Sequence, residues 1–220
     1  MWSWSFTWSI LPEILQAIQT TIVATLAGFV LAMVGGLVLA FGRRSKRRVL
    51  SWSSAAFIEF VRSTPLLVQL YFLFYGLPAI GISLGPLTSG VLGLGIHYSC
   101  YLSEVYRSGI DAVPRGQWEA ARALNFSIGQ TWLRIILPQA IRPVVPVLGN
   151  YLIVMFKETP ILSAITLVEM LATAKIIGAE SFRYLEAFTV VGLLFLVLSY
   201  GSSLLIKKWE QSWNKQYMQR

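Results

Sequence analysis

The sequence predicts an all-α integral membrane protein with about five transmembrane helices. Hydrophobic residues fill 55% of its 220 positions and charged residues only 13%, against roughly 25% charged in soluble domains. The mean hydropathy is +0.63. Long runs without a formal charge, such as Ile14–Gly42 and Ala187–Ile206, are continuously apolar and do not alternate. Such runs favour membrane-spanning helices over a transmembrane barrel.

Five stretches are long enough to cross a hydrocarbon layer ~30 Å thick. The second and third are separated by a turn at 76–86 that is rich in proline and glycine. The segment 158–186 is apolar but carries charges, and we expect it near the outer face of the membrane. The predicted spans, all within one domain covering 1–220, are 14–41, 54–77, 87–108, 139–157 and 187–206.

Basic residues cluster at span ends and predict the orientation of the chain. Lys and Arg close to spans mark the cytoplasmic side, and five spans place all three clusters there with the N-terminus outside and the C-terminus cytoplasmic. Nucleic-acid binding is disfavoured because each cluster adjoins a span and does not line a folded soluble face. The clusters are "RRSKRR" at 43–48, five arginines in Arg107–Arg142, and Lys207, Lys208, Lys215 and Arg220.

The loop at 115–138 is predicted to form a cytoplasmic helical hairpin. "EAARAL" consists of strong helix formers. Asn125 tolerates the left-handed conformation that ends a helix, and Ser127 is a good N-cap for a second helix running to Leu137, before Pro138. From these residues alone, an ordinary helix lying in the membrane interface remains an equal alternative.

The spacing of this hairpin resembles the EAA loop of bacterial ATP-binding cassette importer permeases. Asn125 departs from that family, which usually has Gly there, but Asn is the next-best residue for the left-handed conformation. The residues that carry the resemblance, and that it implies contact an ATPase subunit, are Glu119, Ala120, Ala121, Asn125, Ile135, Leu137 and Pro138.

Further segments resemble the polar amino-acid subfamily of these permeases. They are Glu59–Pro78, Tyr101–Leu124 and Leu137–Ile165. The segment Ala174–Thr189, together with the "MWSWSFT" start, is similar to permeases of ectoine and hydroxyectoine importers. The resemblance implies inward transport of a polar amino acid or an ectoine across the bacterial cytoplasmic (inner) membrane.

The resemblance also implies partners. Such a permease works with two ATPase subunits, a second permease that is identical or related, an extracytoplasmic solute-binding protein and the lipid bilayer. The ATPase subunits bind ATP and Mg²⁺, and no cofactor is expected in this chain. Consistent with that division, the sequence has no G-x-x-x-x-G-K-[ST] phosphate loop and no Gly-Lys dipeptide. The chain is therefore expected not to be an enzyme.

Charges at membrane depth are the best guide to a solute path, because each costs a few kcal/mol unless it is paired or wetted. Lys157 and Glu158 end the fourth predicted span, and Thr159 precedes a proline that breaks the helix. A cation and an anion together suit a zwitterionic solute. The alternative is a structural Lys157–Glu158 pair or gate latch. Weaker candidates are Glu169, Glu104, Gln69 and Thr64.

Two other polar features have structural interpretations. Glu59 and Arg62 are three positions apart and are expected to pair on one helical face. His97 has no second metal ligand at helical spacing, so we expect it to bond a neighbouring helix.

Two other classes of protein compete with the importer permease. A stand-alone secondary carrier or channel is disfavoured by the five spans and the lack of an internal inverted repeat. An intramembrane enzyme would need a paired catalytic set, yet the only aspartate is Asp111, in the predicted cytoplasmic loop.

Overall fold

The computed structural model describes residues 2–218, with side chains placed up to residue 211. Within them only helices and their connections occur, which confirms the predicted all-α class. Arg220 and the side chain of Lys215, both in the C-terminal basic cluster, lie outside the described part. The α-helices are α1 Trp4–Arg43, α2 Arg48–Arg62, α3 Leu66–Tyr71, α4 Pro86–Asp111, α5 Arg115–Ala123, α6 Ile128–Thr131, α7 Leu137–Glu158, α8 Met170–Ser181 and α9 Tyr184–Met218.

Three helical stretches are long and apolar enough to span a membrane without interruption. They are α1, the continuous stretch Ile128–Ile165 that contains α7, and the Tyr184–Gln211 part of α9. A fourth span is possible if α2 and Leu66–Ile80 count together, although they meet at a bend of 101°. The second predicted span, 54–77, is therefore broken in its middle.

Helix α4 is the least apolar of the long helices and lies at the centre of the fold. It packs along α1 and also against α2, α3 and α7. Helix α4 packs mainly against other helices and little against lipid. It can therefore contain hydroxyl-bearing residues and glycines in place of large apolar side chains. One close approach is at Gly36 of α1, where an added Cβ would lie 2.9 Å from the Leu102 Cβ and 3.1 Å from the Ser99 carbonyl oxygen.

The hairpin differs from the prediction at its second helix. Helix α6 has only four residues and continues through a π turn, Trp132–Ile136, directly into α7. The expected helix end before Pro138 is wrong, because Pro138 lies in the first turn of α7. Proline lacks a backbone N–H, and a first-turn position together with a widened π turn tolerates that loss.

The two ends of the helix bundle have different polar contacts. At one end, the Ser3 backbone N–H donates to Glu186 at 3.2 Å, and Arg183 pairs with the same carboxylate. At the opposite end, where α5 follows α4, a network of ion pairs joins the end of α1 to the end of α4. Its members are Arg43, Arg44, Glu104, Arg107 and Asp111.

Candidate functional site

The hairpin turn has the geometry that its residues predict. Asn125 adopts a left-handed conformation with φ 54°. The Phe126 amide donates to the Ala121 carbonyl at 3.0 Å, and the Asn125 amide donates to the Arg122 carbonyl at 3.0 Å. This pair of bonds is a Schellman motif, which satisfies the last carbonyls of α5. Ser127 then caps α6 in a reciprocal capping box with Gln130.

Helix α5 presents one face to the protein and one to the outside. Ala121 is completely buried, whereas Glu119 and Ala120 are exposed. Beneath the helix, the Trp118 and Trp132 rings meet edge to face with centroids 5.3 Å apart. A groove of about 490 Å³ lies beside the exposed carboxylate. Its lining includes Arg115, Trp118, Glu119, Arg122, Phe126 and Ile128.

The remaining residues of the predicted coupling set lie along the second arm of the hairpin. Ile135 is half-buried in the π turn, while Leu137 and Pro138 are exposed at the start of α7. They follow α6 without interruption, so the second arm of the hairpin and a candidate span form one continuous helical stretch, Ile128–Ile165.

A second site is a cavity of about 600 Å³ at the break between α2 and α3. Its volume is in the range typical of small-molecule sites. Three separate parts of the chain contribute charged or titratable side chains: α2, α4 and the end of α7. They are Arg62, His97, Tyr101, Lys157 and Glu158.

In the described part of the chain, the charged side chains that line the cavity do not form ion pairs with one another. Within the described residues, neither Lys157 nor Glu158 forms an ion pair, so the alternative of a structural Lys157–Glu158 pair finds no support. Arg62 does not pair with Glu59 there, contrary to expectation, and its guanidinium lies 5.3 Å from the Tyr101 ring centroid. Glu158 has the Tyr98 hydroxyl as a hydrogen-bonding neighbour, but cavity charges without an ion-pair partner remain available to a polar solute.

Two of the other candidate path residues have structural contacts outside the cavity lining. Thr159 is completely buried, and its hydroxyl donates to the Phe156 carbonyl at 2.7 Å. Glu169 is also completely buried and caps α8 by accepting from the Leu171 and Ala172 amides.

Gln69 bonds the carbonyls at the helix break and contacts His97 at 3.1 Å. The expectation that His97 bonds a neighbouring helix is thus confirmed. Its ring also packs against Tyr101, with centroids 5.2 Å apart.

Sequence reasoning missed two features of these sites. The ion-pair network was not predicted, although Glu104, Arg107 and Asp111 stand at the three- and four-residue spacings that place side chains on one helical face. Arg62 and Tyr101 were not assigned to the cavity, because no local pattern brings α2 and α4 together.

A polar cavity among membrane helices and an exposed helical hairpin at one end are features expected of a membrane transport subunit. The family model described as "Binding-protein-dependent transport system inner membrane component" matches residues 32–215. The chain therefore belongs to this family. It is a multi-pass protein of the inner membrane and a transport subunit, not an enzyme.

Individual relatives agree with the family. A probable amino-acid ABC transporter permease protein of Sinorhizobium fredii is 47% identical over 92% of this chain and 88% of its own length. An L-cystine transport system permease protein of Bacillus subtilis is 36% identical over 86% of this chain and 82% of its own. A crystal structure of an amino acid ABC transporter with histidines has a TM-score of 0.91 and 32% identity, covering 96% of this chain and 99% of that chain.

Proposed function

We propose that the chain is the permease subunit of an ATP-driven importer that moves a polar amino acid, or ectoine or hydroxyectoine, into the cell. The observation that carries this proposal is the pairing of two sites in one helical unit. The exposed hairpin with the EAA spacing is a suitable docking surface for an ATPase subunit. The cavity, in which the described charged side chains form no ion pairs with one another, is a suitable binding site for a zwitterion.

The hairpin is the proposed contact with the ATPase. Glu119 and Ala120 stand on the exposed face of α5, and a small residue beside a charged one allows both close approach and a polar anchor. Leu137 and Pro138, exposed at the base of the same hairpin, complete the contact. Ile135 and Asn125 set its shape. Closure of two ATPase subunits, which bind the ATP and Mg²⁺, would shift the balance between two states of the spans.

Besides the ATPase subunits, the proposed complex contains two further kinds of protein. A second permease, identical or related, provides the other half of the path, and an extracytoplasmic binding protein delivers the solute. The family description supports the binding protein, since it names binding-protein-dependent transport. The absence of a phosphate loop in the sequence supports a separate source of ATP hydrolysis.

The cavity supports a zwitterionic solute. Arg62 and Lys157 suit a carboxylate, and Glu158 suits an ammonium or amidinium group. Relatives named for amino acids and for L-cystine favour amino acids. The ectoine alternative depends on the likeness of Ala174–Thr189 to ectoine permeases. Thr159, Gln69 and Glu169 would shape the path by holding the helix ends around it.

The proposed orientation puts the N-terminus outside and the C-terminus in the cytoplasm. It is supported by the packing of the α1 end, with Arg43 and Arg44, against the α4 end that leads into α5. The "RRSKRR" cluster and the hairpin therefore lie at the same end of the bundle. The positive-inside tendency would make that end cytoplasmic.

The test is reconstitution of the chain in vesicles with and without its ATPase and binding-protein partners. Labelled L-glutamine and ectoine are offered outside, and accumulation inside is measured with ATP or a non-hydrolysable analogue in the lumen. The proposal expects accumulation only with all components and hydrolysable ATP. Solute movement by the chain alone would instead establish the stand-alone carrier or channel.

A further inference from the structure

A chain of polar contacts links the break between α2 and α3 to the cavity. The Gln69 side-chain nitrogen donates to the Val61 carbonyl at 2.8 Å, to the Thr64 carbonyl at 3.2 Å and to the Thr64 hydroxyl at 2.7 Å. Carbonyl oxygens only accept hydrogen bonds. The Gln69 amide is therefore fixed with its nitrogen toward the break, and the opposite orientation would face oxygen to oxygen.

The orientation of the Gln69 amide decides which ring nitrogen of His97 carries the proton. With the Gln69 nitrogen at the break, its Oε1 faces the His97 Nδ1 at 3.1 Å. Because Oε1 only accepts, Nδ1 must carry the proton. In a neutral ring, the lone pair then resides on Nε2.

The His97 Nε2 is reachable from the cavity. His97 belongs to the cavity lining. Within the described residues Nε2 has no hydrogen-bond partner, and it is not among their fully buried unpaired polar atoms. Arg62, Lys157 and Glu158 line the same cavity, so a protonated His97 would be a third cation facing a single carboxylate at membrane depth, and this cost favours the neutral ring.

We infer that His97 contacts the solute by accepting, through Nε2, a hydrogen bond from an N–H group of its cationic end, and that Gln69 is the positioning residue that sets this tautomer. The inference rests on the proposed function. It divides the cavity between the two ends of a zwitterion. Arg62 and Lys157 bind the carboxylate, while Glu158 and His97 bind the ammonium or amidinium.

The test compares solutes with and without N–H groups. Probes are L-glutamine and its Nα-trimethyl derivative, which has no ammonium N–H, and ectoine and its N,N′-dimethyl derivative, which has no amidinium N–H, each taken up by the reconstituted complex. A hydrogen bond to a charged donor is worth about a tenfold difference in KM. The wild-type complex is expected to favour the N–H probe by about that factor beyond any preference of the binding protein, which is measured separately.

Two variants separate contact from structure. In His97→Asn the side-chain amide can still donate to Gln69 but places no acceptor at the Nε2 position, so the preference is expected to fall severalfold, to the part that Glu158 contributes, while expression and assembly stay normal. His97→Phe loses both contacts. A preference unchanged in His97→Asn would overturn the inference while leaving the proposed function intact. No ATP-driven uptake of any polar amino acid, ectoine or hydroxyectoine by the wild type would overturn both.

A measurement on the unaltered protein covers the case in which the variants fail to assemble. His97 is the only histidine of the chain, so nitrogen-15 histidine in this subunit alone gives one pair of ring signals in the assembled complex. A protonated Nδ1, together with an Nε2 signal that shifts with L-glutamine or ectoine but not with their methylated derivatives, is expected. A proton on Nε2 in the resting complex would contradict the inference.

Discussion

Replacing Asn125 by valine is expected to weaken the coupling of transport to ATP hydrolysis without unfolding the membrane helices. Asn125 has φ 54°, and the two hydrogen bonds that close α5 depend on that conformation. A left-handed conformation costs an ordinary L-residue about 1–2 kcal/mol, and more for a β-branched one. Since 1.4 kcal/mol is a factor of ten, the ratio of formed to unformed turn falls about tenfold or more.

The assay is the number of solute molecules accumulated per ATP hydrolysed by the reconstituted complex. Asn125→Val should lower this ratio severalfold and speed hydrogen exchange of the Phe126 amide, which donates across the turn. Asn125→Gly should keep the wild-type ratio, because glycine adopts positive φ without a steric cost. Leu124→Val is the matched control: Leu124 has φ −86° and is exposed, so valine is allowed there.

The reasoning would be refuted by an Asn125→Val complex with the wild-type ratio and unchanged exchange at Phe126. That result would mean that the turn tolerates valine, or that the shape of the hairpin does not govern coupling. A lower ratio in Leu124→Val would equally count against it, because that variant leaves the left-handed position untouched.

Three further predictions concern other parts of the chain. Glu119→Lys should leave the protein in the membrane but abolish ATP-dependent uptake, since it reverses the charge on the exposed face of α5; uptake retained at normal expression would contradict this. Gly36→Leu should prevent α1 and α4 from packing and lower the folded yield in a detergent-extraction assay, whereas Gly201→Leu, which has open space around it, should not. Glu104→Gln should lower the free energy of unfolding by about 1 kcal/mol, because Glu104 accepts from both Arg43 and Arg107 at a partly exposed site. An unchanged melting temperature in detergent would show that the ion-pair network does not stabilise the fold.

Local sequence chemistry was sufficient for the hairpin turn. Asn125 and Ser127 have conformations set by their own side chains and by neighbours within five positions, so the left-handed turn and the capping box were predictable. The continuation of α6 through Pro138 was not, because a π turn has no clear sequence pattern and proline usually signals an end.

The sequence by itself determined that this protein is helical and lies in a membrane, since continuous apolar runs can satisfy their backbone in lipid only as helices. The tertiary structure alone decided which polar residues meet. Arg62, His97 and Glu158 come from three distant parts of the chain, and no pattern within one helix indicates that they meet. They share a cavity because α2 ends at a break that Gln69 holds in place, while α4 lies at the centre of the bundle. Contacts between helices depend on packing over the whole chain, and no local pattern encodes them.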